Sequence, residues 1–205
     1  MRIGAFIKQS FVDWEGKAVA VVFTKGCNFR CGFCHNSSLV LPELLNQTPD
    51  ITEKEIFDYL LKRKNWIDGV VVTGGEPTIH NDLIMFIKSI KLLGYKIKLD
   101  TNGSNPEMLE LLIRNKLIDF VAMDIKIVLE ADKYSEITNC SHRDLINQII
   151  SSIKVLRNFG IEYQLRTTIL PKFHSFDIIN TMQQEFVSEN YILQPFRQGE
   201  TIDIF

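Results

Sequence analysis

Ala18-Val-Ala-Val-Val-Phe-Thr-Lys-Gly-Cys-Asn-Phe-Arg-Cys-Gly-Phe-Cys-His-Asn36 runs an apolar stretch of strand length, Ala18 to Phe23, straight into a loop holding Cys27, Cys31 and Cys34. A run that is apolar at nearly every position reads as a strand buried on both faces, as in a parallel sheet. The C-x3-C-x2-C spacing behind it puts three thiolates on one loop, where they can grip a single metal centre. An iron–sulfur cube normally takes four cysteines. A triad with no fourth cysteine nearby leaves one iron open, as catalytic metal sites keep a position for substrate. A Cys3His zinc site that recruits His35 is the competing reading, although a histidine adjoining Cys34 would usually point away from a metal held by that cysteine.

Outward from this stretch the pattern alternates. Further strands are expected at Gly69 to Val72, Lys96 to Leu99, Phe120 to Met123, Tyr163 to Ile169 and Tyr191 to Leu193. Helical periodicity lies between them, over Thr52 to Lys64, Asn81 to Leu93, Pro106 to Asn115, His142 to Phe159 and Ser175 to Ser188. Thr52 with Glu55 forms a capping box, Pro106 suits a first turn, and Gly94 and Gly160 suit helix stops. Strand–helix alternation gives a parallel sheet with helices outside. A full eight-unit barrel needs about 250 residues, so 205 residues fit an α/β fold of the partial (βα)6 barrel kind, an open curved parallel sheet within a single domain, 1–205.

The polar and glycine-rich sequences all follow strands: the cysteine loop, Thr73-Gly-Gly-Glu-Pro77, Asp100-Thr-Asn-Gly103, Met123-Asp-Ile-Lys126, Arg166 with Thr168, and Gln194-Pro-Phe-Arg-Gln-Gly199. In a parallel barrel the carboxyl ends of the strands share one face, and that face holds the active site. Six segments meeting there say more than any one motif.

Composition sets the remaining bounds. Apolar residues at 45% and charged residues at 23% are the balance of a soluble globular protein. With 23 basic against 25 acidic residues, no electrostatic case for a nucleic-acid partner exists. Met1 to Ser10 carries Arg2 and Lys8 without a long apolar segment, which argues against a signal peptide, and no run approaches the about 18 apolar residues of a membrane span. Cysteines packed into one loop do not read as a disulfide framework, so a cytoplasmic metal or catalytic site is expected. Cys140 stands alone and reads as incidental. His80, His142 and His174 lack metal spacing and are expected to be solvated.

Taken together, these motifs resemble the radical S-adenosylmethionine enzymes, and within them the glycyl-radical-enzyme activating proteins, in particular the group serving anaerobic ribonucleoside-triphosphate reductase. The resemblance rests on Gly26 to Asn36, where Cys-His-Asn after the third spacing is less general than the triad. It rests also on Ser10-Phe-Val-Asp-Trp-Glu-Gly-Lys17 and on Met123-Asp-Ile-Lys126 with Lys133-Tyr134. It covers about Ser10 to Gly199. What it implies is a [4Fe–4S] cluster on Cys27, Cys31 and Cys34, with S-adenosylmethionine on the open iron. By the same resemblance Phe33 lies against the adenine, and His35, Gly74, Gly75, Glu76, Asn102, Asp124 and Lys126 belong to the cofactor site. Glu76 would meet the methionyl ammonium and Lys126 the carboxylate or ribose. Asp100, Thr101 and Asp124 resemble the oxygens that hold a monovalent cation in pyruvate formate-lyase activators.

The activity implied is reductive cleavage of S-adenosylmethionine to a 5′-deoxyadenosyl radical, which takes a hydrogen from a glycine of a partner, expected to be anaerobic ribonucleotide reductase. A one-electron donor such as flavodoxin would supply the electron. The alternatives are a small-molecule enzyme resembling 7-carboxy-7-deazaguanine synthase and a non-catalytic iron–sulfur or zinc module. Three departures from the activators are visible. Arg197 follows Pro195-Phe196 where pyruvate formate-lyase activators have histidine, and Ser37 and Glu15 stand where many relatives have proline.

Overall fold

The structure, a computed structural model, describes residues 1–203; residues 204 and 205 of the expected 1–205 domain lie outside the described residues. In chain order the elements are β1 (Ile3–Ser10), β2 (Val19–Thr24), α1 (Ser37–Val40), α2 (Pro42–Leu45), α3 (Glu53–Lys62), β3 (Gly69–Gly74), α4 (Leu83–Leu92), β4 (Lys96–Thr101), α5 (Pro106–Arg114), β5 (Phe120–Asp124), α6 (Ala131–Thr138), α7 (Leu145–Phe159), β6 (Glu162–Ile169), α8 (Phe176–Glu185) and β7 (Tyr191–Pro195). A 3₁₀ turn spans Pro77–Ile79. The seven strands form one sheet in sequential order. From β2 to β7 every pairing is parallel.

The doubly apolar strands have the cause read from sequence. Successive side chains alternate across a strand, so Ala20 and Val22 of β2 and Val70 and Val72 of β3 face the helix layer. There they meet residues such as Ile56 and Leu60 of α3, Phe86 and Ile90 of α4. Val19, Val21 and Val71 turn to the concave side and pack with Trp14, with Phe23 and Phe120 alongside. The expected helix signals operate: Thr52 Oγ1 accepts from the Glu55 amide at 3.2 Å, Asn105 caps α5, and Gly160 ends α7 in the left-handed region at φ +65°.

Three features depart from the sequence pattern. β1 adds a seventh strand, antiparallel to β2, from Ile3↔Thr24 to Ser10↔Val19. Its sequence, Ile-Gly-Ala-Phe-Ile-Lys-Gln-Ser, carries no clean period because it is an edge strand exposed over much of its length; pairing, not pattern, makes it a strand. The short α1 and α2 and the two-turn α6 are helical although each is too short for a helical period to declare itself. α7 starts at Leu145, three residues after the expected His142. Among the described residues no helix is long and apolar enough to cross a membrane.

Candidate active site

The carboxyl ends of β2 to β7 surround a cavity of about 1020 Å³ on the concave side of the sheet. All eleven site residues expected from sequence line it: the three cysteines, Phe33, His35, Gly74, Gly75, Glu76, Asn102, Asp124 and Lys126.

The cysteine loop is held from several sides. The Gly26 amide donates to Leu39 O at 2.7 Å and the Arg30 amide to Thr138 O at 2.8 Å. Asn36 Nδ2 donates to Gly74 O at 3.1 Å, which ties the Cys-His-Asn end of the loop to the Gly-Gly segment. Asn102 links β4 to the loop's start: its Nδ2 reaches Asn28 Oδ1 at 2.9 Å and lies 4.0 Å from Cys27 Sγ, while the Phe29 amide lies 3.3 Å from the same sulfur. Hydrogen bonds to ligand sulfurs are one of the levers on a cluster's potential. Burial pushes the Cys27 thiol up to about 12 and Cys31 to about 11, with Glu76 adding to the first. Without metal these thiols stay protonated, and loading iron releases the protons.

The two glycines serve backbone against backbone. A Cβ on Gly75 would lie 1.9 Å from Gly26 O, and one on Gly74 2.3 Å from the Thr24 amide nitrogen. Gly74 also sits at φ +118°, where other residues are strained. The resemblance places both glycines at the cofactor; in the fold their missing side chains are required first by β2 and the root of the cysteine loop. There the Gly75 amide donates to Thr24 O at 2.9 Å and the Glu76 amide to Gly26 O at 2.8 Å.

Glu76 is 1% exposed. Its Oε1 accepts from the Thr78 amide at 3.0 Å, from Thr78 Oγ1 at 2.5 Å and from Thr101 Oγ1 at 2.7 Å; its Oε2 accepts from the Asn102 amide at 2.7 Å. Burial raises its pKa against the pull of those bonds. The carboxylate therefore knots β3 to β4, and acceptor capacity for an ammonium remains on Oε2 alone.

Across the mouth runs a ladder of charges. Asp124 and Arg166 are register partners on β5 and β6, and Arg166 Nη2 meets Asp124 Oδ1 at 2.9 Å. Lys126 Nζ meets Asp124 Oδ2 at 3.0 Å, and Lys98 Nζ lies 3.4 Å from Asp100 Oδ1. Arg166 Nη1 spans to Asp100 Oδ2 at 3.4 Å. Burial pushes Asp124 up, but Arg166 and Lys126 outweigh it and hold the carboxyl at about 2. Lys126, opposed by its own burial, is raised by Asp124, and its Nζ stands 5.8 Å from the centre of the Phe33 ring. Aromatic ring, ammonium and thiol loop thus share one wall.

His35 stacks on Phe196 with ring centres 5.4 Å apart, and its Nε2 donates to Arg197 O at 2.9 Å. Further along, the amides of Ile202 and Asp203 donate to Cys34 O at 3.2 Å and to Gly32 O at 2.8 Å. The tail after β7 therefore lies over the cysteine loop, with His35 as its clasp.

His174 corrects the expectation of solvated histidines: it is 4% exposed, and His80 is half-buried; of those three, only His142 is exposed. The Leu170 amide donates to His174 Nδ1 at 3.0 Å, so Nε2 carries the proton and donates to Lys126 O at 2.9 Å. From the other side the Lys126 amide donates to the hydroxyl of the buried Tyr134 at 3.1 Å. Beyond the Lys133-Tyr134 motif the sequence carries no signal of this clamp on the Lys126 backbone, because His174 lies 48 positions away. Burial lowers the pKa of both His174 and His80. Protons therefore bind the unfolded chain more readily, and stability falls as pH drops below the ordinary histidine value of about 6.5. His174→Asn should make that fall shallower in urea unfolding series on either side of this pH; an unchanged slope would remove His174 as a cause.

A profile described as the radical SAM superfamily matches residues 21–184. The chain belongs to the radical SAM superfamily. A protein of Methanocaldococcus jannaschii named as a glycyl-radical enzyme activating enzyme is 34% identical over 98% of this chain and 82% of its own length. The pyruvate formate-lyase-activating enzyme of Clostridium pasteurianum is 30% identical over 83% of this chain and 69% of its own. Streptococcus suis SuiB, solved bound to S-adenosylmethionine, superposes with a TM-score of 0.66 at 17% identity, over 90% of this chain and 44% of SuiB; that likeness is one of fold. For this radical SAM chain the donor set fits an iron–sulfur cluster. Three soft sulfur donors line one cavity, with Cys31 buried and with Asn102 and the Phe29 amide beside Cys27 Sγ.

Proposed function

We propose that this radical SAM protein is an activase, a single 1–205 domain that installs a radical on a glycine of a partner enzyme in an anaerobic cytoplasm. The partner proposed is anaerobic ribonucleotide reductase, with a one-electron donor such as flavodoxin. The observation that carries the reading is that the cavity does not end at the cysteine loop. It continues down the concave face to Trp14, Phe120, Glu162, Asn190 and Ile192, and the sheet stays open between β1 and β7. Cavities of about 300–1,000 Å³ hold whole small molecules; at about 1020 Å³ this one lies at the top of that range, and its open side would admit the tip of a loop beside the cofactor.

Within this reading Cys27, Cys31 and Cys34 hold the [4Fe–4S] cluster, and Phe33, Glu76, Asn102, Asp124 and Lys126 surround S-adenosylmethionine. When bound, cluster and S-adenosylmethionine supply one-electron reductive cleavage and removal of a hydrogen atom from the substrate. The chain's own residues supply position. Lys126, held from both sides of its backbone, presents an ammonium beside Phe33. Glu76 offers one free acceptor site on Oε2, and His35 fastens the tail over the loop and limits water at the thiols.

The test is isotopic. A peptide with the sequence of the partner's glycine loop, carrying deuterium at the glycine α-carbon, should speed cleavage of S-adenosylmethionine and pass deuterium into 5′-deoxyadenosine. The bound loop brings a hydrogen donor to near-contact distance and displaces water. Deuterium transfer from 6-carboxytetrahydropterin, with none from any glycine peptide or reductase, would replace the activase with the deazaguanine-forming alternative.

A further inference from the structure

The resemblance to pyruvate formate-lyase activators assigns Asp100, Thr101 and Asp124 to a monovalent cation, and the side chains of this chain do not fit one. Asp100 and Asp124 are already bridged by a cation of the chain's own: Arg166 Nη1 at 3.4 Å from Asp100 Oδ2, and Nε and Nη2 each at 2.9 Å from Asp124 Oδ1. Neighbouring side chains on a strand point to opposite faces, and Thr101 follows that rule. While Asp100 looks into the cavity, the Thr101 hydroxyl is buried and already committed elsewhere. It donates to Glu76 Oε1 at 2.7 Å and accepts from the Gly103 amide at 3.1 Å.

The remaining carboxylate oxygens also have cations beside them. Lys126 Nζ takes Asp124 Oδ2 at 3.0 Å. Asp100 Oδ1 is buried without a hydrogen-bond partner, yet Lys98 Nζ stands 3.4 Å away as a charge rather than an aligned donor. Three cationic groups thus face two carboxylates across the mouth. Each of the four carboxylate oxygens already has a cationic group beside it, so a further metal cation would find no uncompensated carboxylate there. Arg166 is permanently charged and its planar fork can span two carboxylates at once.

We infer that the Arg166 guanidinium stands in for the monovalent cation, so that S-adenosylmethionine binding by this chain is independent of potassium and sodium. The inference rests on the radical SAM reading of the cavity. Arg166 acts here as a positioning residue: it holds Asp124, which holds Lys126 toward the cofactor.

The cluster-loaded protein is titrated with S-adenosylmethionine by calorimetry in chloride salts of potassium, sodium and tetramethylammonium at equal ionic strength. Wild type should bind alike in all three. Arg166→Met should bind about tenfold or more weakly in tetramethylammonium, the loss of a charge-assisted hydrogen bond, and recover in potassium or sodium; Arg166→Lys should stay close to wild type in every salt. A second readout needs no cofactor. The thermal midpoint of metal-free wild type should not distinguish potassium from tetramethylammonium, whereas that of Arg166→Met should rise in potassium, drawn to the uncovered carboxylates. Tighter binding or a higher midpoint for wild type in potassium overturns the inference. A wild type that binds no S-adenosylmethionine in any salt overturns instead the reading on which it rests, while the midpoints still decide the cation question.

Discussion

Alanine at Cys27, Cys31 or Cys34 abolishes the iron–sulfur cluster, whereas Cys140→Ala leaves one [4Fe–4S] cluster per chain; anaerobic reconstitution with iron and sulfide analysis is the measurement. The loop offers three thiols and no spare. Cys140 lies apart from them, on a smaller hollow with Asn28, Ser104 and His142. The loss is total rather than graded because each sulfur holds a different iron in the proposed cluster, and the Cys27 and Cys31 thiols must give up tightly held protons to bind at all. Cluster loss in the Cys140 variant, or about eight irons in wild type, would overturn the one-cluster assignment.

Gly75→Ala should destabilise the metal-free chain by about 3 kcal/mol or more. The new methyl has no room: the position of its carbon lies 1.9 Å from Gly26 O and 2.6 Å from Gly26 C, and backbone cannot step aside as a flexible side chain does. Overpacking costs about 1–3 kcal/mol, and moving Gly26 also loosens the Glu76 amide bond that anchors the loop, worth about 1–3 kcal/mol more if left unmade inside. Gly160→Ala is the control. It meets no atom within 4 Å and carries only the strain of its left-handed backbone, φ +65°, about 1–2 kcal/mol. Urea unfolding that ranks the two variants equal would show that the loop root yields more easily than its geometry states.

Much of the fold is legible in the sequence because its signals are local. β2 and β3 are apolar on both faces, Thr52 with Glu55 caps a helix, and Gly160 stops one. β1 is illegible because an edge strand exposed along much of its length needs no period of its own; its partner imposes its shape. The same division holds in the site. The cysteines, Gly-Gly-Glu and the Asp-x-Lys motif stand out because each sits within a few residues of a strand end. Their company does not: His174 reaches Lys126 O from 48 positions away, and the tail at Ile202 and Asp203 reaches the cysteine loop from the far end of the chain.

Sequence alone therefore settles that the loop can hold a metal centre and which strand ends carry polar groups, since spacing, periodicity and turn residues act over one or two turns of chain. How those groups are spent is decided in three dimensions. Register sets Arg166 opposite Asp124, the pleat turns Thr101 away from Asp100, and backbone packing claims Gly74 and Gly75. A side chain's partner in space is fixed by which strands lie side by side and in what register, and no local signal encodes that.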